Sequence, residues 1–222
     1  MIIVTCGPSY EPIDQVRRLT NSSTGELGIL LASRLATRGF DVTCFKGVGA
    51  TCCDRLDGAT LRSFTTTEDL RAALAAVEKR DTVRAVFHAA ALCDFRVKRM
   101  TAAGWAETAV AKIPSQAGEL TLTLEPAAKL IAELRSLFPA SRIVGWKYEL
   151  SGPPESALHK AREQMRVNGT DACVLNGSAY GVGFGFCEPG EDLVHCADKP
   201  ALCAFLVQWL ERALRRLTTG GR

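Results

Sequence analysis

The 222-residue sequence predicts an α/β fold: a doubly wound, Rossmann-like, mostly parallel sheet with helices on both faces. Two observations carry the prediction. Short runs rich in Val, Ile and aromatic residues alternate with longer segments whose leucines recur at helical spacing, and this alternation builds parallel sheets through right-handed crossovers. The composition, 47% hydrophobic and 23% charged, is that of a globular chain able to bury one substantial core, so one domain over residues 1–222 is expected.

The elements follow in order. Residues 2–5 (IIVT) form the first strand. Residues 25–38 form a helix with Leu27, Leu30, Leu31 and Leu35 on one face and Gly39 as its stop. Residues 41–46 (DVTCFK) give the second strand and complete a β-α-β unit. Strand 61–64, a helix over 68–80 and strand 85–89 (AVFHA) repeat the pattern. A helix near 128–138, strand 142–148 (RIVGWKY), a helix near 156–167, strand 172–176 and a terminal helix over 200–217 continue it. Two stretches break the rhythm. The first β-α connection, from Cys6 to Thr24, runs about nineteen residues where two to six are usual. Residues 94–124 lack a clear helix and end in an alternating segment (ELTLTLE). That stretch reads as a flap plus a strand pairing outside the main sheet, with another subunit as a candidate partner.

Charge and cysteine content exclude several classes. A net charge of +3 with interspersed signs gives no polyanion-binding face, so no nucleic-acid partner is expected. The first apolar run has no basic leader and is too short for a signal or spanning segment, so neither membrane nor export is expected and a cytoplasmic location is. The nine cysteines are odd in number, and Cys6, Cys44, Cys93 and Cys173 fall in strand-like runs as reduced core thiols. There is no C-x-x-C, and the histidines are His88, His159 and His195, so no protein metal site is expected.

In such a sheet ligands sit beyond the carboxyl ends of the strands. After the first strand come Gly7-Pro8, and then Asn21-Ser22-Ser23-Thr24-Gly25-Glu26-Leu27-Gly28 opens the helix. Ser23 and Glu26 fit a capping box, and the small residues leave helix-terminal N–H groups open to phosphate; a bare cap without ligand is the alternative. After strand 85–89 come Ala89, Ala90, Ala91 and Asp94: small side chains that let a ligand lie on backbone, and an acceptor carboxylate that could equally be a cap. Lys112 lies in irregular chain and could swing onto phosphate or stay solvated. Trp146 and Asn176 end later strands, where they could meet a base; for Trp146 a core position fits as well. His88 reads as a core histidine, and Cys93 lacks the electropositive setting of a nucleophile.

These residues resemble a known family. Residues 5–17 (TCGPSYEPIDQVR), followed by 21–28 (NSSTGELG), are similar to the T-x-G-x-T-x-E-P-I-D-x-V-R…N-x-S-x-G-x-x-G signature of phosphopantothenoylcysteine synthetase. Further blocks keep order and spacing: 90–96 (AALCDFR), Lys112-Ile113, 119–122 (ELTL), Val144-Gly145-Trp146 and 171–176 (DACVLN). The resemblance implies a ligase joining 4'-phosphopantothenate to L-cysteine through an acyl-CMP or acyl-AMP intermediate, in coenzyme A biosynthesis. CTP or ATP would be the cosubstrate, with Mg²⁺. It assigns Gly7, Ser23, Gly25, Gly28, Trp146 and Asn176 to nucleotide; Asn21, Ala90, Ala91 and Asp94 to phosphopantothenate, with Asn21 as a neutral donor to the acyl nucleotide; and Lys112 to a flap. Arg17 would reach in from the partner of a homodimer. The match starts at Met1, so a stand-alone form without the flavin-dependent decarboxylase is expected and no flavin is implied.

Departures from the family pattern are local. Lys112-Ile113-Pro114-Ser115 stands for K-I-K-K, Ala127-Ala128-Lys129-Leu130 for x-P-D-I, and residues 144–149 (VGWKYE) for V-G-F-A-A-E. Gln164 and Asn168 occupy the positions of a lysine pair in CTP-using relatives, with Lys160, Arg162 and Arg166 close in sequence. The alternatives are a re-purposed nucleotide-binding paralogue, or an NAD(P)-linked reductase or epimerase. The latter is disfavoured by the missing G-x-G-x-x-G and Tyr-x-x-x-Lys.

Overall fold

The computed structural model describes all residues except 54, 55, 103, 104, 108–111, 114, 115, 117 and 220–222. Its centre is an eight-stranded sheet. Six strands are parallel: β1 (Ile2–Cys6), β4 (Val42–Gly47), β5 (Thr60–Phe64), β6 (Ala85–His88), β10 (Arg142–Tyr148) and β11 (Ala172–Asn176). Two more, β12 (Phe184–Cys187) and β13 (Val194–Cys196), extend one edge antiparallel. The order is β13-β12-β11-β10-β6-β1-β4-β5, so the winding direction reverses between β1 and β6.

Period-two alternation splits the core between the two faces. Ile2, Val4 and Val144 point to one side, where α1 (Glu26–Thr37) supplies Ile29, Leu31 and Leu35 and α5 (Lys199–Thr219) supplies Leu206, Trp209 and Leu210. Ile3, Phe45 and Ile143 point to the other, against Leu70 and Leu74 of α2 (Thr67–Ala75) and Leu134 of α3 (Leu134–Leu137). Farther along that sheet, α4 (Pro154–Asn168) packs Ala157, Ala161 and Met165 on Cys173 and Leu175. Among the described residues no helix is long and apolar enough to cross a membrane. Cys6, Cys44, Cys93 and Cys173 are buried thiols outside any disulfide, as expected.

The predicted strands and most helices are present within one to three residues, with three differences. The helix expected near 128–138 is instead a 3-10 turn over Leu130–Ala132 followed by the single turn α3. Leu130 and Leu134 are buried, so the apolar spacing is used, but the segment lacks the length for propagation to offset nucleation. The helix expected over 68–80 ends at Ala75, and the chain re-forms a 3-10 turn over Arg80–Thr82. The long first connection is not structureless: β2 (Tyr10–Pro12) and β3 (Arg18–Thr20) form a hairpin there. In the second irregular stretch, β7 (Phe95–Ala102) pairs with β8 (Trp105–Glu107) and with β9 (Leu120–Pro126), forming a three-stranded arm apart from the main sheet. The β9 strand therefore finds its partner within its own chain.

Candidate functional site at the sheet switch point

Where β1 and β6 diverge, the chain leaving each strand continues beside the other. The amide of Ala89 donates to the Thr5 carbonyl at 3.0 Å, Ala91 donates to Gly7 at 2.9 Å, and Ser9 donates to Ala91 at 3.2 Å. This cradle floors a cavity of about 840 Å³, within the range of small-molecule sites. Its wall is completed by the first turn of α1, the ends of β10 and β11, and Lys129, Gln164 and Lys199. Gly7, Asn21, Ser23, Gly25, Gly28, Ala90, Ala91, Asp94, Trp146 and Asn176 all line it. These residues span most of the chain, and crossover topology alone brings them to one end of the sheet.

The glycines have separate physical reasons. Gly7 and Gly25 adopt left-handed backbone with φ of 75° and 77°, and a Cβ at either would meet the Ala50 Cβ at 2.8 or 2.9 Å. Gly28 has ordinary helical backbone but packs α1 onto β1: a Cβ there would lie 2.2 Å from Cβ of Cys6. The capping box expected of Ser23 and Glu26 is not formed. Gly25 occupies the N-cap without a side-chain hydrogen bond, Thr24 Oγ1 accepts from the Glu26 amide at 3.3 Å, and the Glu26 carboxylate turns to Lys199 Nζ on α5. The left-handed Gly25 displaces Ser23 from the cap position, and the helix start faces the cavity without a side-chain cap.

Asn21 bridges the two exits. Its Nδ2 donates to the carbonyls of Ala91 at 3.2 Å and Leu92 at 2.9 Å, so both amide hydrogens are engaged. The donor role expected of it toward the acyl nucleotide is thus not available in this geometry, and what remains is its carbonyl oxygen. His88 is 6% exposed, with Nδ1 2.8 Å from Thr5 Oγ1, and burial pushes its pKa down to about 4. It stays neutral and fastens β6 to β1. Cys93 is buried, with its amide donating to Ser9 Oγ at 2.9 Å; burial raises its pKa and keeps it a thiol.

The cations differ in setting. Lys129 lies 4.0 Å from the Asp94 carboxylate, both highly exposed, so their mutual attraction is weak and either can turn to a ligand. Lys147 and Lys160 share Glu149 at 3.2 and 2.6 Å; the Lys160 hydrogen bond is the main cause of its lowered pKa. Gln164, where the resemblance expects lysine, donates to the Trp146 carbonyl at 3.1 Å and helps hold the end of β10. Asn168 donates to the Gln164 carbonyl at 2.7 Å, within α4. Trp146 packs half-buried against the core, and its indole Nε1 is buried without a hydrogen-bond partner among the described residues. Lys129, Lys147 and Lys199 were not legible as cavity residues, because scattered lysines carry no local signal; Gln164 stood out only as the replacement of a lysine that the resemblance expects. Among the described residues no group of three or more His, Cys, Asp or Glu could hold a metal.

Arg17 and Lys112 do not line this cavity. Arg17 sits in the β2–β3 turn, where its guanidinium binds Asp14 at 2.6 Å and the Ile113 carbonyl at 3.3 and 3.4 Å. Lys112 is exposed, and Ile113 beside it is buried. Asp14 is desolvated, which would raise its pKa, but the amides of Ile113, Val16 and Arg17 and the Arg17 guanidinium outweigh that and hold it at about 2. Pro114 and Ser115 lie outside the described residues.

Residues 1–199 match the model of the DNA/pantothenate metabolism flavoprotein C-terminal domain. The chain belongs to this family. Over 179 residues it is 30% identical to the coenzyme A biosynthesis bifunctional protein CoaBC of Thermococcus kodakarensis, covering 79% of this chain and 40% of that protein. The chain spans less than half the length of the curated relatives it matches. The family's fold is shared with a solved DNA/pantothenate metabolism flavoprotein from Streptococcus pneumoniae: TM-score 0.81, 22% identity, 96% of this chain and 98% of that one. A Cab2 variant solved in complex with phosphopantothenate-cysteine has the same fold: TM-score 0.72, 15% identity, 99% of this chain and 87% of that one.

Proposed function

We propose that this chain is the ligase that joins 4'-phosphopantothenate to L-cysteine through an acyl nucleotide, working as a cytoplasmic homodimer with CTP or ATP as cosubstrate. The observation that carries the reading is the convergence of the two predicted sets on one cavity of a chain that belongs to this family: Gly7, Ser23, Gly25, Gly28, Trp146 and Asn176 with Asn21, Ala90, Ala91 and Asp94.

In the first step the phosphopantothenate carboxylate attacks the nucleotide α-phosphate, and pyrophosphate leaves. Negative charge gathers on phosphoryl oxygens, where the first-turn amides of α1 stabilise it and the exposed Lys112 ammonium swings in from outside the cavity wall. Lys129, Lys147 and Lys199 are further cations at the cavity, in a chain where Gln164 and Asn168 replace a lysine pair. Asp94 accepts from the pantothenate hydroxyl or amide, and Trp146 and Asn176 bound the base. In the second step the cysteine amine attacks the acyl carbon, the nucleoside monophosphate leaves and the amine loses a proton. The Asn21 oxygen, left free by the engagement of its N–H₂, orients the incoming amine and the acyl nucleotide. Neither step changes an oxidation state, so no flavin takes part. Mg²⁺ binds characteristically through substrate phosphates and one or two carboxylates. The ion would be held by the triphosphate, with Asp94 and Glu26 as the carboxylates at the cavity that could complete its shell.

Arg17 serves phosphopantothenate across the dimer. Its bidentate fork suits phosphate, it lies outside its own chain's cavity, and the adjoining turn and arm leave Val16, Phe95 and Leu124 exposed. The test is pyrophosphate release with phosphopantothenate and each nucleotide, with and without cysteine. Release that depends on phosphopantothenate, with amide formed only when cysteine is added, is expected. No release with either nucleotide would overturn the reading.

A further inference from the structure

The turn between β2 and β3 is built around Asp14, whose side chain is fully buried. One carboxylate oxygen serves the turn itself: Oδ1 accepts from the amides of Val16 at 2.8 Å and Arg17 at 2.6 Å. Oδ2 does something a turn does not need. It accepts from Arg17 Nη1 at 2.6 Å and from the amide of Ile113, 99 positions along the chain, at 3.1 Å. The same guanidinium donates back to the Ile113 carbonyl. Both polar backbone groups of Ile113 are therefore held by the Asp14–Arg17 pair, and the residue is only 3% exposed. Lys112, one residue earlier, is exposed.

We propose that Asp14 is a positioning residue for the reaction: it ties the backbone beside Lys112 to the Arg17 turn and so fixes where the Lys112 charge can reach. The proposal rests on the ligase reading, in which Lys112 acts on phosphate. The physical case is that Ile113 is held through both of its backbone polar groups by hydrogen bonds to ionised groups, which are stronger than neutral ones. Consecutive Cα atoms are 3.8 Å apart, so fixing Ile113 confines the Lys112 Cα to a small arc. The same pair couples the two cations that the reaction needs: Arg17 cannot shift without altering the grip on the Lys112 segment.

The test uses the whole chain with Asp14→Asn. An asparagine has one side-chain oxygen, which can serve the Val16 and Arg17 amides, and its N–H₂ then faces two other donors, the Ile113 amide and the guanidinium. The Lys112–Ile113 bond is a tryptic site, and its cleavage should accelerate by about ten-fold or more while the cooperative melt is retained. Pyrophosphate release should fall about ten-fold or more in kcat, with the KM for nucleotide within about three-fold. With phosphopantothenate saturating, so that the Arg17 contribution to its KM does not enter, kcat of Asp14→Asn combined with Lys112→Ala should be no lower than that of Lys112→Ala alone, within about two-fold. Unchanged cleavage in a folded Asp14→Asn protein, or losses that multiply in the double variant, would overturn the proposal. Should Asp14→Asn not fold, hydrogen exchange on the wild-type protein decides the tether: a protected Ile113 amide is expected, and exchange at the rate of an open peptide overturns it. A wild-type protein that releases no pyrophosphate would sink the ligase reading and the reaction role of Asp14 with it. Cleavage and exchange would still decide the tether itself.

Discussion

Gly28→Ala sets two physical effects of opposite sign against each other. Within a helix, replacing glycine by alanine contributes about 1 kcal/mol of stability through propensity. At this position the new methyl would lie 2.2 Å from Cys6 Cβ and 3.0 Å from Cys6 Sγ, both in the buried interface between α1 and β1. Ordinary contact is about 3.5–4 Å, so the helix start and the strand end must separate by more than about 1 Å. Overpacking costs about 1–3 kcal/mol, and a contact this short belongs in the upper part of that range, about 2–3 kcal/mol, so a net loss of about 1–2 kcal/mol remains after the propensity gain. For a chain of this size that is a fall of about 2–8 °C in melting midpoint. Function should suffer more than stability. The displaced turn carries the amides assigned to phosphate, and a misplacement of about 1 Å can cost about 10²-fold in rate. Calorimetry and phosphopantothenate-dependent pyrophosphate release are the assays. Adding Cys6→Gly, which removes the clashing Cβ, should restore at least about ten-fold of the lost activity even though it does not restore the midpoint. An unchanged or raised midpoint in Gly28→Ala would show that the interface yields freely and would refute the reasoning.

Asn21→Ala removes the bridge to the Ala91 and Leu92 carbonyls, both of which can turn to solvent, so stability should change by about 1 kcal/mol or less. Amide product should fall by about 10²-fold, the order of cost of misplacing a reacting group, while pyrophosphate release persists, and equal loss of both would remove Asn21 from the second step. His88, with its pKa lowered from 6.5 to about 4, binds fewer protons folded than unfolded between those values, so stability should drop as pH falls through that window, by up to roughly 3 kcal/mol. Urea unfolding of His88→Gln should show a flatter pH dependence there; an identical slope would mean that other groups carry it. Arg17→Ala should raise the KM for phosphopantothenate more than that for nucleotide. Heterodimers of Arg17→Ala with Asn21→Ala should regain activity, whereas verified heterodimers that stay inactive would argue for a site built within one chain.

The arm around β7 and β9 shows where sequence reading stops. Alternation in residues 119–125 marks a strand, but a strand's partner is a long-range choice, and the register that joins Phe95 to Pro126 is set by packing such as the burial of Met100. The first turn of α1 makes the same point at smaller scale. Ser23 and Glu26 have the spacing of a capping box, yet Gly25 takes the cap in left-handed backbone and the Glu26 carboxylate finds Lys199, 173 positions away. In residues 128–138 the apolar spacing was real and the helix short, because propensity does not decide a segment whose buried leucines are satisfied by a 3-10 turn and a single helical turn.

The six parallel strands and their alternation with helices were legible in the sequence, and so was the clustering of Gly7, Asn21, Gly25, Ala90, Asp94, Trp146 and Asn176 beyond the strand ends. Each of these follows from local periodicity and from the rule that crossovers are right-handed. Which hydrogen bonds those side chains make was settled by the packing of the folded chain. The Asn21 amide was committed to Ala91 and Leu92, Lys129 was set opposite Asp94, and Ile113 was bound to Asp14 and Arg17. The reason is physical: periodicity is a property of neighbours in the chain, whereas a buried carboxylate or amide must find whatever donor or acceptor the packed fold brings within 3 Å, at any sequence distance.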